Sequence, residues 1–134
     1  MRNFSKTEYR EQINGIDLYY EIHGEGEPLV LLHGFTGSSA DWKHIDLTWA
    51  KQFQLIVPDM RGHGRSTNPF STFTHRQAAL DIYALLDRLN IRQFKAIGIS
   101  GGGNVLLHMA TQQPQRVEAM ILVSATSYFP EQAR

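Results

Sequence analysis

Gly98-Ile99-Ser100-Gly101-Gly102 is the stretch whose reading decides the fold. A short apolar run, Phe94-Lys95-Ala96-Ile97, precedes it, and Asn104-Val105-Leu106-Leu107-His108-Met109-Ala110 follows with the character of a helix. A strand that turns at once into a helix brings backbone against backbone. Glycines at 98 and 102 remove the Cβ atoms that would collide, and the residue at the apex is left exposed and strained. Strand, G-x-S-x-G and helix is the context in which a serine serves as nucleophile, at the positive end of the helix. Ser100 is the candidate.

The same glycines could instead cradle a nucleotide, and the spacing excludes this. A phosphate-binding loop requires Lys and Ser/Thr after its last glycine, whereas Asn104 and Val105 follow Gly103. In a G-x-G-x-x-G fingerprint begun at Gly98 the second glycine is Ser100, and in one begun at Gly101 the third is Leu106. What remains is a nucleophile turn or a tight structural turn with an incidental serine.

Outward from the turn, strand and helix signals alternate. Ile16, Leu18, Tyr20 and Ile22 alternate with polar residues behind Asn14-Gly15, which predicts a hairpin over 9–23. Leu29-Val30-Leu31-Leu32 is a continuous apolar run, as in a parallel strand buried on both faces, and it ends in the glycine-rich loop His33-Gly34-Phe35-Thr36-Gly37. A helix is expected from about Ser39 to Lys51, with Trp42, Ile45 and Trp49 on one face. A strand is expected over Phe53–Val57, and a loop from Met60 to Thr74. The best-patterned helix runs from about Thr74, as N-cap, to Leu89, with Ala79, Ile82, Tyr83, Leu86 and Leu89 on one stripe. The helix after the turn reaches about Gln113. Ala119–Ser124 is the last strand, and Ser127–Arg134 a tail. This alternation predicts an α/β fold, one domain over residues 1–134, with a mostly parallel sheet, an antiparallel N-terminal hairpin and flanking helices.

An acyl-transfer site needs two N–H donors where an oxyanion forms. Gly101, directly after the serine, would supply one, and Phe35, in the loop after the first core strand, the other, the alternative being a structural glycine turn with a packed His33. With Pro58-Asp59-Met60-Arg61-Gly62-His63-Gly64-Arg65-Ser66 after the next strand, three motifs stand in order, and with them the whole chain resembles the N-terminal part of an α/β-hydrolase. The resemblance implies the strand order 1-2-4-3-5-6. It also implies a structural role for Asp59 and Arg61, which would tie their loop down. Haloalkane dehalogenases and epoxide hydrolases share the scaffold but carry Asp at the nucleophile position. Ser100 therefore points to esterase, lactonase, C–C-bond hydrolase or perhydrolase chemistry on a small-molecule acyl substrate.

In that family the triad runs Ser, then Asp or Glu, then His. After Ser100 the only acids are Glu118 and Glu131, and the only histidine is His108, two turns into the helix and pointing away. The resemblance thus implies a fold truncated before the triad acid and base, with weak or no turnover, since a serine without a base is a poor nucleophile. The alternative is a non-catalytic product, or a binding or scaffolding relative. His63 and His75 are placed at the pocket border, and His23 and His44 at the surface. Phe35, Trp42, Phe70 and Phe73 are candidates for an apolar acyl pocket or for plain core.

Charges balance at 13 basic and 13 acidic, so no nucleic-acid or polybasic membrane partner is expected. Cysteine is absent, and no His or carboxylate pair has metal-ligand spacing, so no metal and no cofactor are expected. The first ten residues lack the apolar segment of a signal peptide, which predicts a cytoplasmic protein. The last strand would present an apolar edge, which predicts a homo-oligomer or association with a missing C-terminal piece through that strand.

Overall fold

The computed structural model describes residues 6–43, 48–70 and 72–124. Six strands, β1 (Lys6–Ile13), β2 (Ile16–His23), β3 (Glu27–Leu32), β4 (Phe53–Pro58), β5 (Phe94–Ile99) and β6 (Val117–Val123), form one sheet in the order β1-β2-β4-β3-β5-β6. The β1–β2 and β2–β4 pairs are antiparallel, and β4–β3, β3–β5 and β5–β6 are parallel. The expected fold class and strand order are both found.

At the hairpin, Ile13 faces Ile16 across the two-residue turn Asn14-Gly15, whose φ values are 49° and 80°. Two positive φ values in succession match the right-handed twist of the flanking strands. The central strands are buried on both sides, and the two-residue period divides them between two cores. Val30, Leu32, Ile56, Phe94 and Ala96 face helices α2 (His75–Arg88) and α3 (Gly101–Gln112), where they meet Ile82, Leu86, Leu106 and Met109. Leu29, Leu31, Leu55 and Val57 face the other way, onto Trp42, Ala50 and Trp49. Each fully buried Leu or Ile contributes about 1.5–3 kcal/mol, so the wholly apolar runs favour positions between two layers.

Helix α2 follows its predicted stripe. Thr74 caps it, its hydroxyl accepting from the Gln77 N–H at 3.0 Å. The helix expected over 39–51 is corrected. A 3-10 turn spans Ser39–Trp42, a separate α1 spans Thr48–Gln52, and Lys43 is the C-cap of the first. Ser38 and Asp41 form a capping box that closes this short turn on itself. The two tryptophans still share one core, because either piece can present its tryptophan to β3 and β4. Ile45 and His44, the tail Ser127–Arg134 and Glu131 within it lie outside the described residues. Among the described residues no helix is long and apolar enough to cross a membrane.

Strand β6 begins at Val117, two residues before its predicted start, and forms the far edge of the sheet. Met120, Ile121, Leu122 and Val123 are all exposed. Glu118 sits at the opposite end of β6 from Ser100, 3.9 Å from Lys95.

Candidate active site

Ser100 links the last residue of β5 to the first of α3 with φ 53° and ψ −115°, a conformation that L-residues rarely adopt. The crowding that forces this turn is visible on both sides of it. A Cβ on Gly98 would stand 2.6 Å from the Gly102 carbonyl oxygen and 2.7 Å from the Gly103 Cα. One on Gly102 would run into the carbonyl oxygens of Leu32 and His33. The Ser100 N–H donates to the Val123 carbonyl at 2.7 Å, and its own carbonyl accepts from Asn104 N–H at 3.1 Å as the helix begins. The side chain is exposed and caps no helix N–H.

Gly101 is the first residue of a 12-residue helix, so its N–H has no acceptor within that helix and lies at the positive end of the dipole. A Cβ on Gly101 would be 3.1 Å from the Phe35 backbone nitrogen, and one on Gly34 would be 3.5 Å from the Ser100 Cβ. The loop after β3 and the serine turn are therefore in contact, and Ser100, Gly101 and Phe35 are brought together.

That loop is held by a residue whose role was not read from the sequence. His33 is fully buried; its Nε2 accepts from the Met60 N–H at 3.0 Å, and its Nδ1 lies 2.7 Å from the Gly34 carbonyl. With Nε2 accepting, the proton belongs on Nδ1, which donates to Gly34. Burial pushes the imidazole below its ordinary pKa and keeps it neutral. The Gly34 carbonyl also accepts from Gly37 N–H at 2.9 Å, closing a turn in which Thr36 takes φ 67°. The only hint in the sequence is a polar residue at the end of the apolar run Leu29–Leu32.

Asp59 and Arg61 are anchors, with different partners. Asp59 accepts from the N–H groups of Ser39 and Arg65, while its own carbonyl accepts from the Ser66 hydroxyl at 2.6 Å. Arg61 forms a bidentate pair with Asp81 of α2, Nε to Oδ2 at 2.7 Å and Nη2 to Oδ1 at 2.9 Å, with both side chains buried. Arg61 thereby ties the loop to α2 and not to Asp59. Asp81, a charged residue on the buried face of a helix, was the signal for this pair.

His63 and His75 lie near the loop and turn that hold Phe35 and Gly101. The rings of His63 and Phe73 pack edge-on against Phe35, with centroids 5.3 and 5.9 Å away. His75 has its Nε2 3.6 Å from where a Cβ on Gly101 would be. Burial first, then the nearby His108, lower the His75 pKa. His108 is exposed on α3. His23 pairs with Glu21 at 2.9 Å. Of the four pocket candidates, Phe35 and Phe73 meet, whereas Trp42 belongs to the core behind β3. Phe70 lies against Gly15 and Arg61, in an open depression with Asn14, Thr74 and Leu80 that does not include Ser100. Among the described residues no cluster of His, Cys, Asp or Glu could hold a metal ion.

Comparison with known proteins agrees with this fold. A soluble epoxide hydrolase from a Corynebacterium species is 35% identical over 117 residues, covering 87% of this chain and 41% of that protein. A non-heme chloroperoxidase from Streptomyces lividans is 36% identical over 116 residues, covering 84% and 42%. Among solved structures, a ligand-free epoxide hydrolase superposes with a TM-score of 0.87 at 32% identity, over 96% of this chain and 48% of that one. An N-acyl homoserine lactone degrading enzyme gives 0.83 at 32% identity, over 87% and 45%. The chain thus spans less than half the length of these relatives and corresponds to the N-terminal part of their fold. Residues 27–134 match the family model described as alpha/beta hydrolase fold, and the chain belongs to the α/β-hydrolase family.

Proposed function

We propose that this chain carries the nucleophile half of a serine hydrolase acting on an ester or related acyl substrate. The observation that carries the proposal is Ser100 itself, exposed, at φ 53°, with the Gly101 and Phe35 backbones in contact beside it. Ser100 would attack the acyl carbonyl, and the N–H groups of Gly101 and Phe35 would receive the developing oxyanion.

Relatives named as epoxide hydrolases raise a competing chemistry, which the side chain argues against. A carboxylate that opens an epoxide forms an ester, which water can then cleave. A serine hydroxyl would form an alkyl ether, which has no carbonyl for water to attack, and the enzyme would be blocked after one event. Attack of serine on an ester or lactone carbonyl instead gives an acyl-serine that water resolves. The similarity to a lactone-degrading enzyme is compatible with this.

The triad of this family runs Ser, then acid, then His, and no acid followed by a histidine comes after Ser100 in the sequence. His108 is the only histidine after the serine in the chain. The triad acid and histidine are therefore assigned to a segment outside the 134 residues, and turnover by the chain alone should be weak. A fluorophosphonate probe and p-nitrophenyl acetate test this on the parent and on Ser100→Ala, with and without added imidazole as a substitute base. Labelling at Ser100, and hydrolysis that imidazole accelerates only when Ser100 is present, would support the proposal. Equal labelling of parent and variant, or labelling of neither even with imidazole present, would overturn it and favour a binding or scaffolding role.

A further inference from the structure

Four aromatic rings from three separate segments form a wall beside Ser100. Phe35, in the loop after β3, is 60% exposed. Its ring packs edge-on against His63 and Phe73. Phe73 in turn meets His63 at 5.2 Å and His75 at 5.7 Å, the latter pair at 87°. None of the four rings is fully buried, so each keeps surface for another group. The wall is held in place from behind, since the His63 Nδ1 sits 3.0 Å from the Arg61 carbonyl and Phe73 packs on the main core. It also stands next to the serine turn, since a Cβ on Gly101 would be 3.1 Å from the Phe35 nitrogen and 3.6 Å from the His75 Nε2.

Rings arranged edge to face favour a further aromatic ring over a saturated group of the same size, because only the former can continue the pattern of positive edges on negative faces. The wall has one polar tip near the serine turn, the His75 Nε2. A neutral imidazole can donate to a carbonyl or accept from an N–H. We propose that the Phe35–His63–Phe73–His75 wall is a subsite for an aromatic group of the substrate, an aryl or arylalkanoyl ester in class, and that His75 hydrogen-bonds its polar atom. This rests on Ser100 being the nucleophile.

The test uses two stable amides, phenylacetamide and its saturated counterpart cyclohexylacetamide, titrated into the chain and followed by NMR. Phenylacetamide should bind about three- to tenfold more tightly, and should shift the signals of Phe35, Phe73, His63 and His75. Phe35→Leu, at an exposed position that leaves the core alone, should abolish the aromatic preference. His75→Leu should weaken both amides about two- to tenfold while keeping it. Equal affinity for the two amides, shifts confined to other residues, or no binding would overturn the proposal. Fluorophosphonate labelling separates the two readings. Labelling without ring preference removes the subsite alone, and ring preference without labelling removes the nucleophile alone.

Discussion

Replacing Ser100 with glycine should make the chain more stable than replacing it with alanine. Both changes delete the hydroxyl, which is exposed and caps nothing, so its loss alone is nearly neutral. They differ in the backbone. The pair φ 53°, ψ −115° is the mirror image of a conformation in the ordinary extended region, so glycine adopts it freely, whereas alanine keeps the Cβ that makes it strained. Strain of this kind costs about 1–3 kcal/mol. Glycine gives back about 0.5–1 kcal/mol through the greater freedom of its unfolded chain. About 0.5–2 kcal/mol should remain in favour of glycine, or roughly 2–8 °C in Tm for a domain of this size. Urea denaturation of both variants, with calorimetry as a second probe, measures the difference. A glycine variant no more stable than the alanine variant would show that the serine turn stores no strain, and the structural case for a nucleophile would weaken with it.

Three further outcomes are expected. Asp81→Ala should cost about 3–5 kcal/mol in urea denaturation, since it leaves the Arg61 guanidinium buried and uncompensated; a loss below about 1 kcal/mol would contradict the pairing. His33 is held neutral, so its folded pKa lies below its unfolded value, and the unfolded chain binds more protons as pH falls. Stability should therefore be full above about pH 6.5 and decline below it, down to the folded pKa, at no more than about 1.4 kcal/mol per pH unit. His75 adds to the slope in the same direction. His33→Gln should flatten the profile, and an unchanged slope would refute the assignment. We also propose that the exposed apolar residues of β6 drive self-association. Sedimentation should show a concentration-dependent oligomer that Ile121→Lys weakens, and a parent chain monomeric throughout the micromolar range would sink the idea.

The sequence was most informative where local physics alone decides the outcome. Asn14-Gly15 has one comfortable arrangement between alternating strands, and Gly98 and Gly102 leave room for one kind of turn. The run Leu29–Leu32 reads as a strand covered twice, and the structure divides it between the two cores. The strand order needed the family resemblance, because nothing in the spacing says that β4 inserts between β2 and β3. The segment 39–51 was misread because helical spacing of Trp42 and Trp49 is satisfied equally by one helix or by two short pieces packed on the same strands. The candidate site was legible as Ser100, Gly101 and Phe35. Its supports were not. His33 is explained only by two acceptor and donor groups 1 and 27 residues away, and Arg61 by a carboxylate 20 residues on. Pairings of that range leave no local period to detect.

The hydrogen bond from Ser100 N–H to the Val123 carbonyl makes the edge of the sheet part of the serine's own support. A strand that paired with β6 would restrain Val123, and through it the backbone at the proposed nucleophile. Pairing at the β6 edge would then be an input to the site. By thermodynamic reciprocity the dependence runs both ways: a group bound covalently at Ser100 that prefers the restrained turn must tighten the pairing at β6 by the same factor.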